Sequence, residues 1–169
     1  MKKKYSVSLL VCAVALMSTL LIPTGSALSW HQRGRVAGTF DYTYELLMDP
    51  IPADGKLFIF AEEFETWVGD LEGDGHAYFT VMRDDALNKA EVVLLSTLTG
   101  EVDGKQGTVD IRLIGKKPID GNWIGTWKIL SGTDELATLS GSGVWWGPGF
   151  GDMSPMINYR GTIRFKPSP

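Results

Sequence analysis

Residues 157–166, INYRGTIRFK, alternate between two kinds of side chain. The odd positions are apolar or glycine, and the even positions are polar or basic. Successive side chains of a β-strand point to opposite faces, so this alternation predicts a strand with one buried side and one solvated side. Residues 39–46 alternate in the same way, with Phe40, Tyr42 and Tyr44 on one side. The two ends of the folded region are therefore both predicted to be amphipathic strands.

The connections between the strand-like stretches are short and rich in glycine, aspartate and proline. Asp103-Gly104 is the strongest hairpin signal, because both residues tolerate a positive φ, and Pro50 and Pro52 predict a loop over residues 49–55. No connection is long enough for a crossover helix, so the strands should form an antiparallel meander. Eight strands are predicted, near residues 35–46, 57–68, 75–82, 89–101, 107–115, 122–130, 140–147 and 157–166.

Pairing of the first and last strands would remove the exposed edges of this sheet and enclose an interior. The predicted fold class is therefore all-β, a single eight-stranded antiparallel up-and-down barrel. Residues 131–139 begin with capping residues and have a helix-compatible middle, which predicts one short helical turn. The pattern contains no linker or repeat, so residues 28–169 are expected to form one domain.

Residues 1–27 have the features of a signal peptide. Three lysines precede an uncharged apolar run over residues 7–22, and Gly25-Ser26-Ala27 supplies small residues for cleavage after Ala27. The alternative is an uncleaved anchor, because the run is only slightly shorter than the roughly 20 residues that span a bilayer. Cleavage would leave no membrane-spanning helix and would place the mature protein outside the cell, in the periplasm or at the cell envelope.

Charge and cysteine content exclude several classes of function. The whole chain has 16 basic and 20 acidic residues, and loss of the three N-terminal lysines leaves a net charge of about −7. An acidic domain without a Lys/Arg cluster is a poor partner for nucleic acids and anionic membranes. The single cysteine, Cys12, lies in the apolar run, so the mature chain has no disulfide.

Two tryptophans on one predicted strand either line a ligand site or pack as ordinary core. Trp123 and Trp127 lie four residues apart on one predicted strand and face the same side, with Gly125 between them. The missing side chain leaves a hole that could hold a ligand or be filled by a facing side chain. Both interpretations stay open from the sequence.

Glu62 is the weak candidate for a catalytic group. It follows Phe58 and Phe60 on one face of a predicted strand, and a carboxyl buried among rings would have a raised pKa, as a general acid requires. The opposite face, with Leu57 and Ile59, is also apolar. A bulge near Glu62 would reverse the facing and send its side chain to water.

Metal and nucleophile chemistry have little support in the sequence. Only His31 and His76 are present, and His31 lies near the expected mature N-terminus. No metal site is predicted, because a zinc site needs more nitrogen or sulfur ligands than this chain offers.

Several short motifs recur in order along the chain: GTF at 38–40, GDLEG at 69–73, GTW at 125–127 and SGTDELATLSGSG at 131–143. In that order they resemble an uncharacterised bacterial family that is itself similar to the allene oxide cyclase and dirigent barrels. The resemblance covers most of residues 35–166. It implies an apolar lumen that holds a reactive hydrophobic intermediate without a cofactor, and relatives that often form homo-oligomers. No catalytic residue of those enzymes matches a position here.

Three functions are compatible with this sequence. The first is a secreted barrel that binds a small hydrophobic molecule in an aromatic-lined cavity. The second is a cofactor-independent cyclase or isomerase, with Glu62 as its polar group. The third is a structural or interaction protein with a filled barrel and outward aromatic residues such as Trp67. The predicted ligand-binding residues are Tyr42, Tyr44, Phe60, Glu62, Trp123 and Trp127.

Overall fold

The computed structural model describes residues 33–148 and 156–167, so the predicted signal peptide lies outside the described residues. These ranges contain nine strands and one 3₁₀ turn. The strands are β1 (Arg33–Leu46), β2 (Ile51–Ala53), β3 (Lys56–Gly69), β4 (Leu71–Asp84), β5 (Lys89–Val102), β6 (Lys105–Pro118), β7 (Trp123–Gly132), β8 (Leu139–Gly147) and β9 (Met156–Phe165).

All nine strands belong to one antiparallel sheet whose hydrogen bonding closes into a ring. Consecutive strands pair from β3 to β9, β9 pairs with β1, and β1 pairs with β3 through registers such as Gly38 opposite Gly69. The all-β antiparallel prediction is confirmed. The predicted count of eight was one too low, because β2 is an additional strand that pairs only with β3.

The extra strand lies in the segment that its prolines predicted to be a loop. Pro52 is paired with Leu57 in β3, and the hairpin turns through Asp54 and Gly55 with φ of 52° and 74°. β2 is an edge strand, and a proline is tolerated there because one side of the strand needs no N–H donor. Two consecutive positive φ angles are the signature of a type I′ hairpin.

One end of the ring is packed with large side chains. The indole of Trp67 stacks on Phe40 with ring centroids 4.4 Å apart and lies 5.1 Å from the ring of Tyr159. The Tyr159 hydroxyl accepts a hydrogen bond from Leu71 N at 2.9 Å and donates one to Leu71 O at 3.2 Å. Tyr159 lies on β9 and Leu71 on β4, so these bonds tie together strands that are not neighbours in the ring.

The turn between β3 and β4 closes the same end against β1. Asp70 accepts a hydrogen bond from Ala37 N through its Oδ2 atom at 2.8 Å, and Asp70 N donates to Ala37 O at 3.2 Å. We call this packed end, formed around Trp67, Tyr159 and Leu71, the closed end.

The predicted helical turn is confirmed as a 3₁₀ turn at Asp134–Leu136, with Leu136 buried. Within the described ranges the chain has no helix with the length and apolarity to cross a bilayer.

Candidate functional site

A pocket of about 300 Å³ opens at the end of the ring opposite the closed end. We call it the mouth pocket. Its lining is mostly apolar, and Arg83 and Lys117 are its charged members. The other lining residues are Tyr44, Leu46, Pro50, Ile59, Phe79, Val81, Ala90, Ile119 and Trp123. The Lys117 amino group donates to the carbonyl oxygen of Ile119 at 2.9 Å and lies 5.5 Å from the Trp123 ring. Burial is the main reason that the pKa of Lys117 is lowered.

A second, smaller cavity of about 30 Å³ lies within the ring. We call it the inner cavity. It has room for about one water-sized group. Phe79 and Trp123 line both spaces and therefore form the wall that they share. Glu63 is the only ionisable carboxyl group in the inner lining, which otherwise consists of Phe40, Tyr42, Phe79, Val92, Leu94, Leu113, Trp123, Trp145 and Ile157.

Glu63 reaches the interior because the odd positions of the second half of β3 face inward. Ala61, Glu63, Glu65 and Trp67 are all buried, and both glutamates are only 3% exposed. Two carboxyl groups therefore lie two residues apart on the inner face of one strand. Burial of carboxyl groups is costly, which makes this pair a candidate for a functional group.

Glu65 has hydrogen-bond donors that stabilise its charged form. Its Oε2 atom accepts from the indole Nε1 of Trp67 at 2.8 Å and from the hydroxyl of Ser96 at 2.5 Å. Gly75 lies opposite Glu65 in the register, and a Cβ atom there would overlap Glu65 Oε2 and lie 3.0 Å from Glu65 Cβ. The strand next to Glu65 is thus shaped around its carboxylate.

The pKa of both glutamates is raised. Burial is the largest cause for Glu63, followed by repulsion from Glu65 and a hydrogen-bonding interaction with it, and together they raise the pKa of Glu63 well above its usual value. Burial also raises the pKa of Glu65, but the bonds from Ser96 and Trp67 oppose that rise. Glu63 is therefore the member of the pair that holds a proton more tightly.

The two carboxyl groups of the pair interact with each other. Glu65 Oε1 is buried and accepts no hydrogen bond from an N–H or hydroxyl donor of the described residues. A hydrogen bond between Glu63 and Glu65 raises the pKa of Glu63 and opposes the rise at Glu65, so protonated Glu63 is placed to donate to the Glu65 carboxylate.

The structure brings three of the predicted ligand-binding residues to the two cavities. Tyr42 is buried and lines the inner cavity, Tyr44 lines the mouth pocket, and Trp123 lines both. Tyr44 packs edge-on against Phe79 with ring centroids 5.9 Å apart.

Trp127 is buried but lies in the packing towards the closed end. Its ring stands edge-on to Tyr159, and its indole nitrogen donates to Arg160 O at 3.1 Å. The hole expected at Gly125 is filled, because a Cβ atom there would overlap the ring of Trp145. The sequence left open whether a ligand or a facing side chain fills the space at Gly125, and in the structure the Trp145 side chain fills it.

Phe60 and Glu62 do not face the interior. Glu62 lies on the outer face, where its Oε2 atom is 3.1 Å from His76 Nε2, and its side chain is 26% exposed. The His76 ring stacks on Phe64 with centroids 5.0 Å apart. Strand parity is the reason: Phe60 and Glu62 are even-numbered positions, and the odd positions face inward. For the same reason Trp67, expected on the outside, is 1% exposed.

The sequence contained a signal for the correct facing, but it was ambiguous. Both faces of residues 57–60 are apolar, so the start of the strand does not determine which face is buried. The end of the strand does not determine it either, because Ala61 and Trp67 lie on one face and Phe64 and Val68 lie on the other.

The described part of the chain contains no group of three or more His, Cys, Asp or Glu side chains arranged to hold a metal ion. The acid pair on β3 consists of two carboxyls with a tryptophan and a serine as donors, which suits proton chemistry better than cation binding.

Comparison with known proteins gives the family and the fold. The sequence matches the family described as protein of unknown function DUF3224 over residues 37–147. The crystal structure of a protein of unknown function from this family, from Shewanella oneidensis MR-1, superimposes with a TM-score of 0.64 at 16% identity. That alignment covers 81% of this chain and 100% of the other. No curated protein matches the sequence.

An identity of 16% supports a shared fold and no shared activity. The predicted membership of an uncharacterised family is confirmed, and the likeness to allene oxide cyclase and dirigent proteins stays a prediction. Because the matched residues make up more than half of the chain, this protein belongs to the DUF3224 family.

Proposed function

We propose that this protein binds a small hydrophobic molecule in the mouth pocket. The observation that supports the proposal is the contrast between the two ends of the ring. Trp67, Tyr159 and Leu71 fill the interior at the closed end, and the pocket of about 300 Å³ outside them has Arg35, Asp70, Glu72, Glu101 and Asp103 in its lining. The mouth pocket has the same volume, but its lining is mainly apolar. Pockets of this size and character are typical of small-ligand sites.

The sizes of the two spaces fix how such a ligand would lie. The inner cavity, at about 30 Å³, accommodates one small group and no more. Most of the ligand would therefore occupy the mouth pocket, against the rings of Phe79 and Trp123. In this proposal the ring of strands is a barrel like those of allene oxide cyclase and dirigent proteins, with a lumen that is only partly open.

A second candidate is a cofactor-independent isomerase or cyclase. The buried acid pair favours it, because a carboxyl with a raised pKa can hold and deliver a proton near neutral pH. Glu63 takes the role that the sequence suggested for Glu62. Exchange of the α-hydrogens of cyclohexanone in deuterated water, followed by NMR, would test it. Glu63→Gln should abolish the exchange while binding is retained.

We further propose that the protein is exported and cleaved after Ala27, acting outside the cell, in the periplasm or at the cell envelope. The basic, apolar and small-residue segments of residues 1–27 support this. A homo-oligomer is compatible with the proposal and is not required by it.

Calorimetric titration with cyclohexane and toluene tests the proposed binding. Ala90 lines the mouth pocket and is buried, so Ala90→Leu should fill the pocket and weaken binding by about tenfold or more. Ala37→Leu places the same side chain at an exposed position by the closed end and should leave binding unchanged. If neither probe binds the unmodified protein, the proposal fails.

Tryptophan emission gives an independent readout. Trp123 borders the mouth pocket, whereas Trp146 is on the outer face and 39% exposed. The change in emission on ligand binding should disappear in Trp123→Phe and persist in Trp146→Phe. The opposite result would place the ligand outside the ring.

A further inference from the structure

The mouth pocket carries charge of one sign. Its two charged lining residues, Arg83 and Lys117, are both cations, and no Asp or Glu of the described residues lines it. The chain as a whole has the opposite bias, with 20 acidic and 16 basic residues. Two cations in an otherwise apolar pocket favour a ligand that has both a hydrocarbon part and a negative charge.

The pairing of three strands places the two cations on either side of one small residue. Ala90 on β5 is opposite Arg83 on β4 and opposite Lys117 on β6, and it lines the pocket between them. Neighbouring strands lie about 4.8 Å apart, so the Cα atoms of the two cations are about 10 Å from each other. Each long side chain needs to span only about half of that distance to reach a shared anion above Ala90.

The Lys117 amino group has donors left for an anion. It has three N–H bonds, and its hydrogen-bond acceptor among the described residues is the carbonyl oxygen of Ile119. It forms no salt bridge with a carboxylate of those residues. Burial lowers the pKa of Lys117 most, repulsion from Arg83 adds to that effect, and the charge of Asp120 opposes it. An anion between the two cations would relieve the repulsion.

Arg83 is paired on one side of its guanidinium only. Its Nε atom donates to Asp85 Oδ1 at 2.5 Å, and its two terminal nitrogens have no acceptor among the described residues. Asp85 is 66% exposed and lies outside the pocket lining, as does Asp120. The terminal N–H groups of a guanidinium are well suited to bind a carboxylate.

We propose that the ligand of the mouth pocket is an apolar carboxylic acid in its ionised form. Its carboxylate binds between Arg83 and Lys117, and its hydrocarbon part packs against Phe79 and Trp123. This inference rests on the proposed binding function and names the chemical class of the ligand. All four of these residues line the mouth pocket, so the ligand does not need to enter the inner cavity.

The alternative is that Lys117 has only a structural role. Its amino group lies 5.5 Å from the Trp123 ring and holds the turn after β6 through Ile119 O. A lysine with that role alone would give charged and neutral ligands of the same shape the same affinity. The two interpretations therefore differ in a quantity that can be measured.

The test compares cyclohexanecarboxylate with cyclohexanecarboxamide by calorimetric titration at about pH 7. The two probes have nearly the same size and shape, and only the first is charged. We expect the carboxylate to bind about tenfold more tightly, as a charge-assisted hydrogen bond at a partly exposed site would provide. Because salt screens exposed charges, the preference should shrink when the ionic strength is raised to about 1 M.

Four variants separate the two cations from general effects of charge. Lys117→Met and Arg83→Met each remove one positive charge from the pocket and should each reduce the preference for the carboxylate at least threefold, while cyclohexane binding is retained. Lys117→Arg keeps the charge and should keep the preference. Lys116→Met is the matched control, because Lys116 is the preceding residue, is exposed on the outer face and is absent from the pocket lining.

The outcomes distinguish this inference from the proposed function. Equal affinity for the two probes, with cyclohexane still bound, would overturn the inference and leave the binding function in place. A preference that survives both Lys117→Met and Arg83→Met, or that falls as much in Lys116→Met, would also overturn it, since the carboxylate would then lie elsewhere. Failure of every probe, cyclohexane included, to bind the unmodified protein would overturn both proposals.

Discussion

At the scale of single residues, Glu63 makes the stability of the protein depend on pH. Its folded-state pKa is raised above the usual 4.5, mainly by burial, so the protonated form is favoured in the folded state. Its stabilising contribution is therefore complete below pH 4.5 and is lost as the pH rises through the raised pKa.

We expect the free energy of unfolding to fall as the pH rises above 4.5 through the raised pKa of Glu63, and Glu63→Gln to reduce that fall, because glutamine does not titrate. Above that pKa the variant should be at least as stable as the unmodified protein. A pH series of urea denaturation measures this. An unchanged pH dependence in Glu63→Gln, with Glu62→Gln as the control, would show that Glu63 is not buried in its acid form.

The Glu65 carboxylate leaves no room for a side chain at position 75, so this position requires glycine. An alanine methyl group there would overlap Glu65 Oε2 and crowd Ser96 Oγ at 3.1 Å. Gly75→Ala should destabilise the protein by about 1–3 kcal/mol, the usual cost of overpacking. Gly34→Ala is the matched control, since its methyl group would meet only Ile163 Cγ1 at 3.6 Å, an ordinary contact.

A double-mutant cycle decides whether Glu65 is the cause. Chemical denaturation of Gly75→Ala, Glu65→Ala and the double variant should show that the glycine substitution costs much less once the Glu65 side chain is gone. Additive effects would instead mean that the strand backbone, and not the carboxylate, requires glycine.

The residue scale is also where prediction from sequence reached its limit. The alternation of residues 39–46 places Tyr42 and Tyr44 on one face, and the structure has Tyr42 buried and Tyr44 44% exposed at the mouth pocket. Trp123, at the start of its strand, is buried. The sequence pointed to Glu62 instead of Glu63 because residues 57–60 are apolar on both faces. A shift of one position reverses every side chain of a strand. Which glutamate is buried was therefore decided by tertiary pairing with β1 and β4.

At the scale of strands, the sequence predicted the order, direction and approximate bounds of the eight ring strands. The third was predicted at residues 75–82, whereas β4 is Leu71–Asp84. The reason is that Glu72, Gly73 and Asp74 have turn-like composition, yet they pair with Glu101, Gly100 and Thr99 on β5. Because β5 is long enough to pair with these residues, β4 continues through a segment of low β propensity.

The tie between β9 and β4 is the strand-level contact with the largest expected effect on stability. Tyr159→Phe removes the hydroxyl that bonds both Leu71 N and Leu71 O, and Leu71 is completely buried. An unpaired buried N–H costs about 1–3 kcal/mol, so thermal and urea unfolding should show a loss of that size. The raised pKa of Tyr159, about 12, keeps the phenol protonated across the accessible pH range.

Tyr78→Phe is the control for that prediction, because Tyr78 is 54% exposed on the outer face and its loss of a hydroxyl should change stability by less than about 0.5 kcal/mol. Equal effects of the two substitutions would contradict a structural role for the Tyr159 hydroxyl.

At the scale of the whole molecule, closure of the ring gives β1 two partners. Its residues from Gly38 to Asp41 pair with β9 on one side and with β3 on the other. A strand held on both sides exchanges its amide hydrogens only when the sheet opens. β2, in contrast, pairs with β3 alone and is exposed along its length.

Hydrogen exchange followed by mass spectrometry or NMR can therefore test closure directly. We expect the amide hydrogens of β1 to exchange at rates within about tenfold of those of β5, which also has two partner strands. The amide hydrogens of Ile51 and Ala53 in β2 should exchange fastest among the strands. Addition of cyclohexanone should slow exchange further near the mouth pocket while leaving the closed end unchanged. Rapid exchange throughout β1, at the rate of β2, would show that the seam between β1 and β3 is open in solution, and the enclosed acid pair on β3 would then be accessible to water.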